Sequence, residues 1–260
     1  MQGALMVSII VFTGPAGSGK TSLVKAYSEW VRRTLLLRTA VVNLDPGVEE
    51  PGYKPVLDIR DFFTLRDVMV KYGLGPNGAF IKSSELIADY MEDILGKPPF
   101  SNIEKWDLVV VDTPGQMEAF IFRPASSVFL RRVSRLGNTV LVYLIDSSSI
   151  ESVTDAVTLW FIYVLLQVKT GLPTIPVISK SDIARNREIV RVLIERPMDL
   201  LGMIRDDAGF AGDVIPDLLS IALKTMGPLR AVEVSALNKE GMDKLHALLH
   251  EVFCACGDLT

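Results

Sequence analysis

Residues Gly14-Pro15-Ala16-Gly17-Ser18-Gly19-Lys20-Thr21 fill the pattern G-x-x-x-x-G-K-[ST], and the chemistry of such a segment is the holding of a polyphosphate. Its glycines let the backbone turn so that successive N–H groups point inward, and a helix that follows adds its positive end to the anion cradle. Lys20 would reach the β- and γ-phosphates, and the Thr21 hydroxyl is the hard oxygen ligand that Mg²⁺ takes. A second constellation, Asp112-Thr113-Pro114-Gly115-Gln116, ends the run WDLVVVD. There Asp112 would hold Mg²⁺ through a water, Gly115 would bring an N–H to the γ-phosphate, and Gln116 would orient an attacking water. Asp45, in Asn43-Leu44-Asp45-Pro46, ends another apolar run. It belongs either to the Mg²⁺ shell and the positioning of the water or to an Asx turn closed by Pro46.

Two further segments would read a base. Ser179-Lys180-Ser181-Asp182 resembles the guanine-reading motif N-K-x-D with Ser in place of Asn. The Asp182 carboxylate would accept from guanine N1–H and the 2-amino group, donors that adenine lacks, while the Lys180 stem would lie on the base plane. Replacing Asn by Ser179 is expected to remove a link between the base and the phosphate loop. Ser235-Ala236-Leu237 resembles the S-A-x motif, which would place the Ala236 N–H on guanine O6.

These residues need a scaffold that carries them to one edge. Apolar, β-branched runs at 7–13, 39–43, 106–112, 139–145, 174–179 and 230–235 alternate with helical stretches, the signature of a parallel sheet covered on both faces. The expected fold is a three-layer α/β/α P-loop NTPase with a mainly parallel central sheet. Ser148 and Glu151 have capping-box spacing before a helix over 150–170 that Gly171 stops, and helices are expected over 64–72 and 80–95. The stretches 44–105 and 180–229 exceed a plain crossover and read as insertions in one domain over 1–260.

The 260 residues are 49% hydrophobic and 22% charged, which excludes disorder, collagen and coiled coil. A net charge of -4 argues against a protein that coats nucleic acid or anionic lipid. The opening apolar run leads into the glycine loop and reads as a strand, and the segment 156–168 is too short to span a bilayer. With two cysteines, Cys254 and Cys256, and no disulfide framework, a cytoplasmic setting is expected. His246, His250 and Cys254 share a helix, but His246 and Cys254 lie roughly 12 Å apart, too far for one ion, so an incidental surface is expected. Trp160, Phe161 and Tyr163 read as a core face.

Taken in order from residue 14 to 237, these motifs resemble the GPN-loop GTPases, an archaeal and eukaryotic family in the signal-recognition/MinD-type branch of P-loop NTPases. The tripeptide that gives the family its name stands at Gly75-Pro76-Asn77, followed by Gly78; the alternative is a simple turn between helices. The resemblance implies a Mg²⁺-dependent GTP-hydrolysing homodimer bound to GTP or GDP, in which Asn77 reaches the phosphates of the partner's site. It also implies water-positioning roles for Asp45, Gln116 and Glu118, and a protein client such as RNA polymerase or a similar assembly. Two rivals stand beside it: a P-loop kinase acting on a small acceptor, and a nucleotide-gated scaffold with negligible turnover.

Overall fold

The computed structural model describes residues 7–205 and 231–257, with Ile215, Asp217 and Ser220 between them. Its strands are β1 (Ser8–Thr13), β2 (Thr39–Asn43), β3 (Leu57–Asp58), β4 (Leu108–Asp112), β5 (Asn138–Asp146), β6 (Thr174–Ser179) and β7 (Val232–Glu233). They form one sheet in the order β3-β2-β4-β1-β5-β6-β7, parallel at every pairing. Successive β1 residues feed opposite layers, since side chains alternate across a strand. Ile9 and Val11 join one buried cluster with Val109, Val111 and Leu141, while Ile10 and Phe12 join another with Val110 and Val142. Apolar runs without polar alternation thus reflect burial on both faces.

The helices are α1 (Lys20–Trp30), α2 (Leu65–Tyr72), α3 (Pro76–Asp89), α4 (Met91–Leu95), α5 (Met117–Phe120), α6 (Pro124–Val133), α7 (Val153–Thr170), α8 (Arg187–Glu195), α9 (Leu200–Arg205) and α10 (Met242–Gly257). Leu23 and Tyr27 of α1 and Leu245 and Leu249 of α10 cover one face; Ile87 of α3, Phe129 of α6 and Trp160 of α7 lie in the cluster on the other. β1 lies between β4 and β5, so the chain leaves it at the point where the strand order reverses, and its carboxyl end opens into a crevice.

Several boundaries differ from the sequence reading for local reasons. The capping box of α7 is Ser152 with Asp155, one turn beyond the expected Ser148 and Glu151. Asp146 captures Ser148, accepting from its N–H at 2.9 Å and from its hydroxyl at 2.6 Å, which holds 147–149 in a short 3-10 turn. Gly75-Pro76-Asn77 is not a turn before a helix at 80: Gly75 is the N-cap of α3 and Pro76 its first residue, where a missing N–H costs nothing. The helix expected to run to 95 is divided at Tyr90. β3 lies unforeseen inside the first insertion, and the second supplies α8 and α9, while most of 206–230 lies outside the described residues. Helix α7 carries the apolar run to 18 residues, long and apolar enough to cross a bilayer by length and composition. Its Ala156, Val157, Trp160, Tyr163 and Leu166 are buried on the sheet with Leu141 and Tyr143, while Leu165 and Val168 on another face are exposed.

Candidate nucleotide site

The phosphate loop closes between β1 and α1. Gly17 and Gly19 have φ of +78° and +86°, left-handed values that a side chain would strain. At Gly14 a Cβ would meet the Leu144 carbonyl oxygen and the Ser18 hydroxyl at 2.9 Å each, so only glycine lets the loop pass β5 this closely. Ala16 and Gly17 are exposed, Pro15 is half-buried and Ser18 is buried. The Lys20 ammonium donates to the carbonyls of Gly14 at 2.7 Å, Pro15 at 2.9 Å and Gly115 at 2.9 Å, tying this loop to the one after β4. Burial lowers the Lys20 pKa, against the opposing pull of Asp112, Asp45 and Glu118.

Two acids meet at this edge because β2 and β4 pair with Asn43 opposite Asp112. Asp112 is fully buried. Its Oδ2 accepts from the Tyr53 hydroxyl at 2.7 Å, while Oδ1 is buried without a hydrogen-bond partner among the described residues. Burial pushes its pKa up to about 6, with the Tyr53 and Thr21 hydroxyls pulling down, Asp45 pushing up and Lys20 pulling down. Asp45 is buried as well, and its two oxygens face different partners. Its Oδ1 accepts from the Gly47 N–H at 2.8 Å, an Asx-type turn, while a Cβ at Gly115 would meet its Oδ2 at 3.2 Å, so the acid also faces the β4 loop. Burial raises the Asp45 pKa, opposed by the N–H groups of Gly47 and Gly115. Asn43 holds Asp45 in place by accepting from its N–H at 3.0 Å and donating to Asp58 at 2.9 Å; Arg60 in turn grips Asp58.

Of the residues expected to act on the water and the γ-phosphate, Gln116 and Asn77 meet. Gln116 Nε2 donates to Asn77 Oδ1 at 3.2 Å, joining the start of α3 to the β4 loop within one chain. Glu118, in the first turn of α5, is exposed.

The donor set tests whether Mg²⁺ suits this edge. Thr21, Asp112 and Asp45 offer hydroxyl and carboxylate oxygens alone, the ligands this hard cation takes, and Asp112 Oδ1 is a buried acceptor still to be satisfied. Among the described residues no three His, Cys, Asp or Glu side chains form a metal cluster by themselves. The residues therefore fit an ion that takes its remaining ligands from phosphate oxygens and water.

Beside the phosphate loop opens a cleft of about 230 Å³ lined by Gly19, Ser179, Lys180, Asp182, Ala236 and Leu237 among others. Asp182 accepts from the Ser235 hydroxyl at 2.6 Å, and the Asn238 N–H donates to that same hydroxyl oxygen at 3.1 Å, which couples the two base motifs. Ser179 corrects the sequence reading. Its buried hydroxyl donates to the Ser18 carbonyl at 2.7 Å and approaches that of Ile145 at 3.2 Å, so the link to the phosphate loop is kept by a shorter side chain. Lys180 sits at φ +57° with Nζ on Asp146 Oδ2 at 2.6 Å, and its carbonyl accepts from the Ser147 hydroxyl at 2.7 Å. Burial would raise the Asp146 carboxyl, but the hydrogen bonds from Lys180 and Ser148 outweigh it and hold it below its usual value. Leu237 is 81% exposed and contributes only to the rim.

Asn43, Tyr53, Asp58 and Asp146 were missed from the sequence. Asn43 and Asp146 had a signal, each being a polar residue that ends an apolar run at the ligand-bearing edge; Tyr53 and Asp58, inside a long insertion, had none. The expected incidental surface at the histidines is corrected for His246, which is half-buried, bonds the Tyr27 hydroxyl through Nδ1 at 2.9 Å and packs on Trp30. The Sγ of Cys254 lies 3.5 Å from His250 on the exposed side.

A parallel sheet with this glycine loop, its lysine and an acid on a neighbouring strand defines a P-loop nucleoside triphosphatase fold. A family model described as "conserved hypothetical ATP binding protein" matches residues 12–255. A GPN-loop GTPase of Pyrococcus abyssi is 33% identical over 255 residues, 97% of this chain and 100% of that protein. GPN-loop GTPase 1 of Saccharomyces cerevisiae is 26% identical over 249 residues, 92% of this chain but 64% of that longer protein. Among solved structures, a GTPase in apo form from Pyrococcus abyssi matches with a TM-score of 0.86 at 30% identity, covering 96% of this chain and 98% of that one. The chain belongs to the GPN-loop GTPase family.

Proposed function

We propose that this protein binds GTP and hydrolyses it to GDP and phosphate with Mg²⁺. The observation that carries the reading is the cleft beside the phosphate loop, where Asp182 is fixed by Ser235 and the strand end is tied to the loop through Ser179 and Ser18. A carboxylate so held offers acceptors to guanine N1–H and the 2-amino group and would be left unpaired by adenine. Gly14, Pro15, Ala16, Gly17, Ser18, Gly19 and Lys20 would cradle the phosphates, with Lys20 exchanging its carbonyl partners for phosphate oxygens. Thr21, Asp112 and Asp45 would hold Mg²⁺, which when bound neutralises charge on the β- and γ-oxygens. Asp45, Gln116 and Glu118 would orient the water that attacks the γ-phosphorus as the bond to the β-phosphate oxygen breaks. In such a reaction positioning is the main contribution a protein makes.

The working unit of this proposal is a cytoplasmic homodimer of single-domain chains. By the family resemblance, Asn77 of each chain would complete the partner's phosphate site across the interface; in the single chain it accepts from Gln116 Nε2 at 3.2 Å. The output is a nucleotide-dependent change in the helical insertions that acts on a protein client, RNA polymerase or a similar assembly, with no direct contact to nucleic acid or membrane.

Competition between GDP and ADP for the purified protein tests the reading. Guanine preference of 100-fold or more is expected; equal affinities would remove Asp182 from its role and the guanine specificity with it.

A further inference from the structure

Tyr53, from the loop between β2 and β3, touches the acid at the centre of the nucleotide site. Its ring packs against the cluster beneath α1, and its hydroxyl donates to Asp112 Oδ2 at 2.7 Å. The segment that presents it is tethered at several points. Val56 N–H donates to the Val41 carbonyl at 2.7 Å, β3 pairs with β2, and Arg60 donates to the carbonyls of Val48 and Glu49 at 3.1 and 2.7 Å. A carboxylate at the end of a strand can still rotate about its last bond, and a single fixed donor on one oxygen removes that freedom. With Oδ2 occupied, Oδ1 is the oxygen left without a hydrogen-bond partner among the described residues.

We propose that Tyr53 is a positioning residue for the metal, holding Asp112 through Oδ2 so that Oδ1 is presented to a water of the Mg²⁺ shell beside Thr21. The inference rests on the nucleotide-site reading above and adds to it a residue from the loop between β2 and β3. Partners that orient a metal's carboxylates control affinity for the ion even though they never touch it. A tyrosine that served only to satisfy a buried acid would affect stability and leave metal affinity alone.

Tyr53→Phe keeps the ring and removes the donor. Mn²⁺ titration of the protein–GDP complex, followed by electron paramagnetic resonance, reads the metal directly, and GDP affinity in EDTA reports whether the phosphate loop is intact. The dissociation constant for Mn²⁺ is expected to rise about tenfold, with metal-free GDP affinity within twofold of the parent. In turnover, the Mg²⁺ concentration for half-maximal rate should rise while kcat at saturating Mg²⁺ stays near the parent value. Mn²⁺ affinity within twofold of the parent overturns the inference, as does an equal loss of metal-free GDP affinity, which would give Tyr53 a purely structural role. Failure of the parent protein with GDP to bind Mn²⁺ at all defeats the nucleotide-site reading and this inference together.

Discussion

Replacing Asp182 by Asn should convert the base cleft from one that accepts guanine to one that rejects it. The direction follows from how the structure holds the side chain. Ser235 Oγ accepts from the Asn238 N–H at 3.1 Å, so its own hydrogen is committed outward, to Asp182 Oδ1 at 2.6 Å. In Asp182→Asn the amide oxygen keeps that bond and the NH₂ group turns toward the cleft. Guanine N1–H keeps an acceptor in the amide oxygen, now uncharged, but the 2-amino group meets the NH₂, a donor facing a donor. Losing one charge-assisted bond at about 1.5–3 kcal/mol and weakening the other by about 1 kcal/mol amounts to roughly 2–4 kcal/mol, or about 30- to 10³-fold in affinity. Xanthine carries a carbonyl oxygen in place of the 2-amino group and would gain the contact that guanine loses. Displacement of a fluorescent GDP analogue by GDP, XDP and ADP measures all three. GDP affinity within threefold of the parent, or no gain for XDP, would refute the reasoning.

Further outcomes follow from the same geometry. Asp146→Ala frees Lys180 from its 2.6 Å ion pair and should weaken GDP binding about ten- to a hundredfold, the worth of a charged hydrogen bond, as measured by calorimetric titration. Ser179→Ala leaves the Ser18 carbonyl without its donor at a cost of about 1–2 kcal/mol, so the melting temperature should fall by roughly 2–8 °C. Asp112→Asn should raise the melting temperature of nucleotide- and metal-free protein at pH 8. The folded-state pKa of Asp112 is raised to about 6 from 3.8, so ionisation costs stability above that range; the gain should fade as pH drops from about 6.5 toward 4, and a gain that grows on acidification would reverse the assigned sign. Asn77→Ala should slow turnover about tenfold or more if the residue completes the partner's site, with GDP affinity near the parent value; steady-state rates and sedimentation check it, and unchanged turnover with unchanged dimer geometry would end the composite-site idea.

The sheet was legible because its strands are apolar on both faces. Thr39–Asn43 and Thr174–Ser179 appear with the expected ends, and the phosphate loop falls where its glycines require. Local patterns were less informative where two acids or two caps compete. Asp146 takes Ser148 for itself and moves the start of α7 to Ser152, an outcome set by a strand end and not by the capping pattern. Contacts across long sequence separations were invisible. Tyr53 reaches Asp112 across 59 residues and Ser179 reaches Ser18 across 161, and neither pairing leaves a mark on the sequence near its members. Asn77 was legible as a motif residue, but its contact with Gln116 in the same chain was not.

The central claim is catalysis on a guanine nucleotide, and phosphate release from GTP and from ATP, run in parallel with Mg²⁺ and with EDTA and no acceptor, tests it most directly. The account predicts Mg²⁺-dependent release from GTP well above that from ATP. Equal release from the two would contradict the role given to Asp182 and Ser235, and tight binding without release from either would make the protein a nucleotide-gated scaffold or a kinase awaiting its acceptor.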